Sequence, residues 1–215
     1  DALLTPQPII LVTDQYNNPK IGTVVTASRG TGTGILRGTL TATSDASGLA
    51  AFTNLGYSKS GETFTIHFAA ASLSVDSESL GPLGAGAANI IGIATAPVIG
   101  ASVDDNFTTQ PVIRIADQFD NPKIGTVVTA SRGTGTGTLR GTLTATSDAS
   151  GLAVFTDLGY NKSGETFTIN FAAGSLSPVS SSLGPLAIGA ATQVRVETTA
   201  NGSGVLVGAQ LESEC

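Results

Sequence analysis

Few side chains in this 215-residue chain could carry chemistry, and each can be weighed on its type and spacing. His67 is the single histidine, and titration near neutrality makes general base its sharpest role. It lies on the threonine-bearing face of Thr63-Phe64-Thr65-Ile66-His67-Phe68, and a second copy of that segment carries Asn170 in its place, so a solvated surface position is expected. Cys215, the only cysteine, has no base with a claim on it and reads as a free terminal thiol or an intermolecular disulfide. Asp104-Asp105-Asn106 offers oxygens to Ca2+, but the spacing matches no ligand loop, so these residues read as solvated linker acids. Asp14, Asn17 and Asn18, repeated as Asp117, Asp120 and Asn121, are accounted for by a proline-containing turn.

The remaining polar signals are weaker. Arg29-Gly30-Thr31-Gly32-Thr33-Gly34 opens no helix and has no Lys-Ser/Thr ending, so it reads as a flexible loop, not a phosphate cradle. Lys20, Lys59, Lys123 and Lys162 sit in turn contexts, which argues against a buried Lys–Asn isopeptide bond. Tyr16, Tyr57 and Tyr160, with Phe119 replacing Tyr16, are too few as exposed aromatics to form a carbohydrate platform. Asn106, Asn161 and Asn201 open glycosylation triplets of the kind that arise by chance where Thr and Ser abound. No acid, base and nucleophile set converges. The expectation is a non-enzyme with no cofactor, no metal and no small-molecule substrate.

The elements that position these residues come in two copies. Gln7-Pro8-Ile9-Ile10 recurs as Gln110-Pro111-Val112-Ile113, an offset of 103 residues, and the match runs on to Gly81-Pro82-Leu83 and Gly184-Pro185-Leu186. A unit of that length is the size of one small domain. A further segment, 86–94, has a counterpart at 189–197 but none ahead of the first copy. The expected organisation is therefore domain 1 at 1–85, short of its opening strand, domain 2 at 86–188, and a strand-bearing tail at 189–215.

Composition limits the classes of function. Charge is 12% of residues and net charge is −6, which argues against nucleic acid and offers no polybasic membrane patch. No apolar run is long enough to span a bilayer. The Thr-, Ser-, Gly- and Ala-rich makeup, with no Trp or Met, is that of extracellular structural proteins, so the chain is expected outside the cell or on its surface.

Within each copy the hydrophobic period is two. Phe64, Ile66 and Phe68 fall on one face, as do Phe167, Ile169 and Phe171. Leu11 in one copy is Arg114 in the other, between Ile10/Ile113 and Val12/Ile115, so that position faces water. Strands are predicted near 8–14, 22–29, 36–44, 49–55, 62–71 and 73–83, and again one repeat later. Asn-Pro, Gly-rich and Ser-Gly turns separate them. With the preceding segment this makes seven strands per unit, which predicts an all-β chain of two tandem immunoglobulin-like sandwiches.

Val12, Asp14, Asn18, Pro19, Gly22, Val25, Thr26 and Ala27, together with Ser-Asp-Ala-Ser-Gly-Leu-Ala-x-Phe at 44–52 and 147–155, resemble the bacterial immunoglobulin-like domains of the invasin and intimin type. The resemblance covers both repeats and the tail. It implies domains that act as spacers in surface adhesins, with these residues shaping turns.

A sandwich lacking an edge strand leaves unpaired backbone groups and an apolar groove, here expected along Ile10, Val12, Phe64, Ile66 and Phe68. The tail matches it in pattern: Val194 and Val196 alternate with Gln193, Arg195 and Glu197. Insertion into a neighbouring copy is a heterologous contact that propagates without closing. The expected partners are thus identical subunits in a head-to-tail filament built by donor-strand complementation. The alternative is a spacer segment of a large surface adhesin, with neighbouring repeats as partners.

Overall fold

Apolar residues that alternate with Thr and Ser every second position cannot bury a helical face, and none of the residues described is in a helix. The computed structural model describes residues 3–178, 180 and 182–195. Domain 1 contains β1 (Ile9–Leu11), β2 (Val24–Arg29), β3 (Leu36–Arg37), β4 (Thr41–Thr43), β5 (Leu49–Ala51), β6 (Gly56–Tyr57), β7 (Ile66–Ala70) and β8 (Leu73–Asp76). Domain 2 contains β9 (Ile90–Thr95), β10 (Val112–Ala116), β11 (Val127–Arg132), β12 (Leu139–Arg140), β13 (Thr144–Thr146), β14 (Leu152–Val154), β15 (Gly159–Tyr160) and β16 (Ile169–Ala172).

Each domain is an immunoglobulin-like sandwich of antiparallel strands. In domain 1, β4-β2-β7-β8 forms one sheet, and β1-β5 with β3-β6 covers it. In domain 2, β13-β11-β16 faces β14-β10-β9 and β12-β15. The layers meet in two separate cores. Val25, Ala50, Phe52, Leu55, Phe64, Ile66 and Phe68 fill the first. Val128, Ala153, Phe155, Leu158, Phe167, Ile169 and Phe171 fill the second. Tilted pairs link the sheets at the same place in both, Phe52 against Phe68 with centroids 5.4 Å apart and Phe155 against Phe171 at 5.5 Å.

Two predicted strands prove discontinuous. The segment expected over 36–44 breaks at Gly38, where φ is +98° and an added Cβ would meet the Asn54 carbonyl oxygen at 2.0 Å. There the chain passes from pairing with β6 to pairing with β2. The segment expected over 73–83 is strand only at β8 and thereafter holds a single bridge, Leu80 to Phe64. Its counterpart in domain 2 has Pro178 where β8 has Val75, and proline cannot donate to the ladder.

The two domains differ most at one edge. In domain 2, β9 lies antiparallel along β10, with Ile113 opposite Ile93, Arg114 opposite Gly92, Ile115 opposite Ile91 and Ala116 opposite Ile90. Segment 86–94, the start of domain 2 in the sequence reading, thus spends its strand on that domain. The same edge of β1 carries no strand among the described residues.

Candidate functional site

The uncovered edge of β1 opens onto an apolar cleft of about 230 Å3, lined on one side by Ile10 of β1 and the adjoining Val12 and on the other by Val25, Phe68, Ala70 and Val75 of the facing sheet. Domain 2 closes the equivalent space with Ile91 and Ile93, which pack against its core. The consequence is visible residue by residue. Ile113 and Ile115 are fully buried, whereas Ile10 is half-buried and Val12 remains slightly exposed. Of the groove residues expected from sequence, Ile10, Val12 and Phe68 line the cleft, while Phe64 and Ile66 lie deeper, buried in the core. Leu11 points outward at 60% exposure, and its counterpart Arg114 is ion-paired to Asp120 at 2.6 Å.

The tail segment is placed elsewhere. Gln193, Val194 and Arg195 are exposed and outside any strand in the isolated chain, with Val194 at 97% exposure. Val196 and Glu197 lie outside the described residues. Just upstream, the Ala190 N–H donates to Asp104 Oδ2 at 2.8 Å, which ties the start of the tail to domain 2.

A second feature escaped the sequence reading: the turn at Asp117–Asn121 is the seat of the domain junction. Within the turn, Asp117 Oδ1 accepts from the N–H groups of Phe119 and Asn121, and Asn121 Nδ2 donates back to the Asp117 carboxylate. The turn so braced meets domain 1. Asn121 Nδ2 donates to the Ser58 carbonyl at 2.9 Å and Asn121 Oδ1 accepts from Ser60 N–H at 3.0 Å. Gly86 N–H donates to Asp117 Oδ2 at 2.9 Å, Lys123 Nζ reaches the Ala85 carbonyl at 3.2 Å, and the Arg37 guanidinium stacks 4.0 Å over the Phe119 ring. Asp117 and Asn121 are buried as a result, at 0% and 2% exposure. Burial raises the pKa of Asp117, yet the hydrogen bonds from Asn121, Gly86 and Phe119 outweigh it and hold the carboxyl below the usual carboxylate range. The partners in domain 1 are mostly backbone groups, which have no signature in sequence. The substitution of Phe119 for Tyr16 was the available hint.

The glycine-rich loop also differs from expectation: it is pinned rather than flexible. Glu62 accepts from Thr33 N–H and Oγ1, Gly34 N–H and the Tyr57 hydroxyl, and Glu165 repeats this with Thr136, Gly137 and Tyr160. The Tyr57 and Tyr160 hydrogen bonds, followed by those from the threonines, bring both glutamates down to about 2. Tyr57 and Tyr160 are not surface aromatics: each ring is buried, stacked 3.8 Å from Phe64 or Phe167. Their only polar atom finds the glutamate and a glycine N–H.

The candidates for chemistry fall apart spatially. His67 Nδ1 and Asp76 Oδ1 are 2.5 Å apart across the β7–β8 ladder, both on the solvent face. Asp105 Oδ2 accepts from Ser102 N–H and Oγ, and Asp104 Oδ2 accepts from Ala190 N–H, so one acid braces a turn and the other the start of the tail. Among the described residues no three His, Cys, Asp or Glu side chains gather as metal ligands, and no helix is long and apolar enough to cross a membrane. Cys215 and Asn201 lie outside the described residues.

No family model matches the chain, and no curated protein matches it. Two solved structures are similar. One is the D0-D1 domain of intimin, at 15% identity and a TM-score of 0.33, covering 81% of this chain and 86% of that one. The other is domains 4 and 5 of the S-layer protein SbsC, at 14% identity and a TM-score of 0.36, covering 82% and 79%. Neither overlay is close enough to transfer a site.

Proposed function

We propose that this chain is a structural subunit of an extracellular bacterial filament, in which residues 193–197 of one copy complete domain 1 of the next. The observation that carries the proposal is the difference between two equivalent strands: β10 is covered by β9, and the same edge of β1, beside an apolar cleft, has no strand on it among the described residues. The repeat offset supplies the register. Carrying the β9–β10 pairing forward sets Val194 opposite Val12, Arg195 opposite Leu11 and Val196 opposite Ile10. Val194 and Val196 then take the places of Ile91 and Ile93, the two side chains that close the cleft of domain 2. Arg195 takes the outward place of Gly92, beside exposed Leu11.

The pairing is favourable when several residues enter the edge in register. Burying two valines contributes about 1.5–3 kcal/mol each. Each ladder hydrogen bond adds about 0.5–1.5 kcal/mol net, against the cost of ordering a short segment. The motif resemblance and the weakly charged composition favour a cell-surface setting.

The test is assembly of the full chain, followed by light scattering and electron microscopy. The unaltered chain is expected to form filaments with one two-domain subunit per repeat. Val194→Asp, which would bury an unpaired charge in the cleft, is expected to leave monomeric rods. Filaments that persist in this variant would contradict strand donation. An unaltered chain that stays monomeric at all concentrations favours the spacer of a large surface adhesin.

A further inference from the structure

We infer that the clasp between domains 1 and 2 is formed a second time, between the distal end of domain 2 and the Asp14–Lys20 turn of another copy. This inference rests on the filament proposed above and names a contact that strand donation alone does not require.

Both halves of the clasp exist twice in the chain, and only one pair is used internally. The receiving half is the turn. Asp14 Oδ1 accepts from Tyr16 and Asn18 N–H, and Asn18 Nδ2 donates to Asp14 Oδ2, the same bracing that shapes Asp117–Asn121. Yet Asp14, Asn18 and Lys20 are exposed and Tyr16 is 75% exposed, whereas in the second copy Asp117 and Asn121 are buried and Phe119 and Lys123 are half-buried at the junction with domain 1. A preformed turn with the same Asp–Asn bracing thus stands exposed in domain 1.

The inserting half is the end of domain 2. In the internal clasp, Ser58 and Ser60 contribute only a backbone carbonyl and a backbone N–H, so the side chains at the equivalent Asn161 and Ser163 are no obstacle. Asn161 is exposed. Arg140, the equivalent of Arg37, is held by the Val103 and Asp105 carbonyls at 2.7 and 2.8 Å. In the second clasp its guanidinium would meet Tyr16 as that of Arg37 meets Phe119. Gly189 follows Gly86 in the repeat and would donate to Asp14, while Lys20 would reach the Ile188 carbonyl.

The occupant is a second copy of this chain, since its domain 2 carries, one repeat on, the backbone and arginine positions with which domain 1 grips the Asp117–Asn121 turn. The clasp and the donated strand come from adjacent residues, as Ala85 and Gly86 do beside β9. Every domain boundary along the fibre is then the same, and a single rotation per domain propagates it.

The experiment compares subunit assembly with capture of a strand alone. Tyr16→Ala and, separately, Asn18→Ala are introduced into the full chain, and the concentration for half-maximal assembly is measured. Each is expected to rise about five- to twentyfold, while Tyr16→Phe, which copies Phe119, assembles as the unaltered chain does. In parallel, a synthetic peptide of residues 192–199 is titrated against the non-assembling Val194→Asp chain with and without the same changes, and its affinity is expected to be unchanged. Wild-type assembly by both alanine variants, with the peptide binding, overturns the clasp and leaves strand donation standing. A peptide that binds neither chain overturns strand donation itself. Weakened peptide binding in the alanine variants shows that the turn serves the groove and overturns a separate clasp.

Discussion

At the residue scale, the tightest polar construction is the glutamate under each glycine-rich loop. Glu62 and Glu165 ionise at about 2 in the folded chain, well below their ordinary 4.5, chiefly because Tyr57 and Tyr160 donate to them. A carboxyl lowered by folding stabilises the native state above its unfolded pKa, and that contribution is lost as pH falls from about 4.5 toward 2. Urea midpoints are therefore expected to fall across this window, and Glu62→Gln with Glu165→Gln should flatten the slope. Some slope remains, since Asp14 and Asp117 are lowered as well, by Asn18 in the first case and by hydrogen bonds that outweigh burial in the second. Tyr57→Phe should destabilise domain 1 by about 1.5–3 kcal/mol in urea titration, through a lost hydrogen bond to a charged group. None of this was legible from sequence. A Glu several residues from a Tyr and opposite a Gly-rich stretch looks like surface, because the contact depends on a β-turn bringing them together.

At the element scale, the sequence was most informative where side-chain alternation meets burial and least where a strand changes sheets. Phe64, Ile66 and Phe68 are buried as their period implies, and Leu11 is exposed as its exchange for arginine implies. The break within 36–44 was missed because Gly38-Thr39-Leu40 continues the apolar alternation while its backbone turns away. Its equivalent offers a clean test. Gly141 has φ +92°, and an added Cβ would lie 2.2 Å from the Asp157 carbonyl oxygen. Gly141→Ala is expected to lower the stability of domain 2 by at least about 1–3 kcal/mol. In thermal unfolding one transition should move and the other hold. A variant with both transitions unchanged would mean that the sheet switch tolerates a side chain.

At the scale of the whole molecule, two cores are joined through a buried Asp–Asn turn, and a few hydrogen bonds hold that junction. Asn121→Ala removes both bonds to Ser58 and Ser60 and should broaden the distribution of inter-domain angles seen in small-angle scattering, with both domains still folded. The tandem architecture was legible because a repeat announces its own boundaries. The junction was not, because it is written in backbone groups. The open edge could be read as a missing segment, and the structure adds where the space lies and which side chains line it. The most direct measurement is disulfide trapping across the proposed pair. One preparation carries Leu11→Cys and another Arg195→Cys, both with Cys215→Ser, and they are mixed under mild oxidation. The account predicts a linked dimer of the two, formed faster than with Cys at 193 in place of 195. No linkage between the two, or linkage no faster than with Cys at 193, would contradict it.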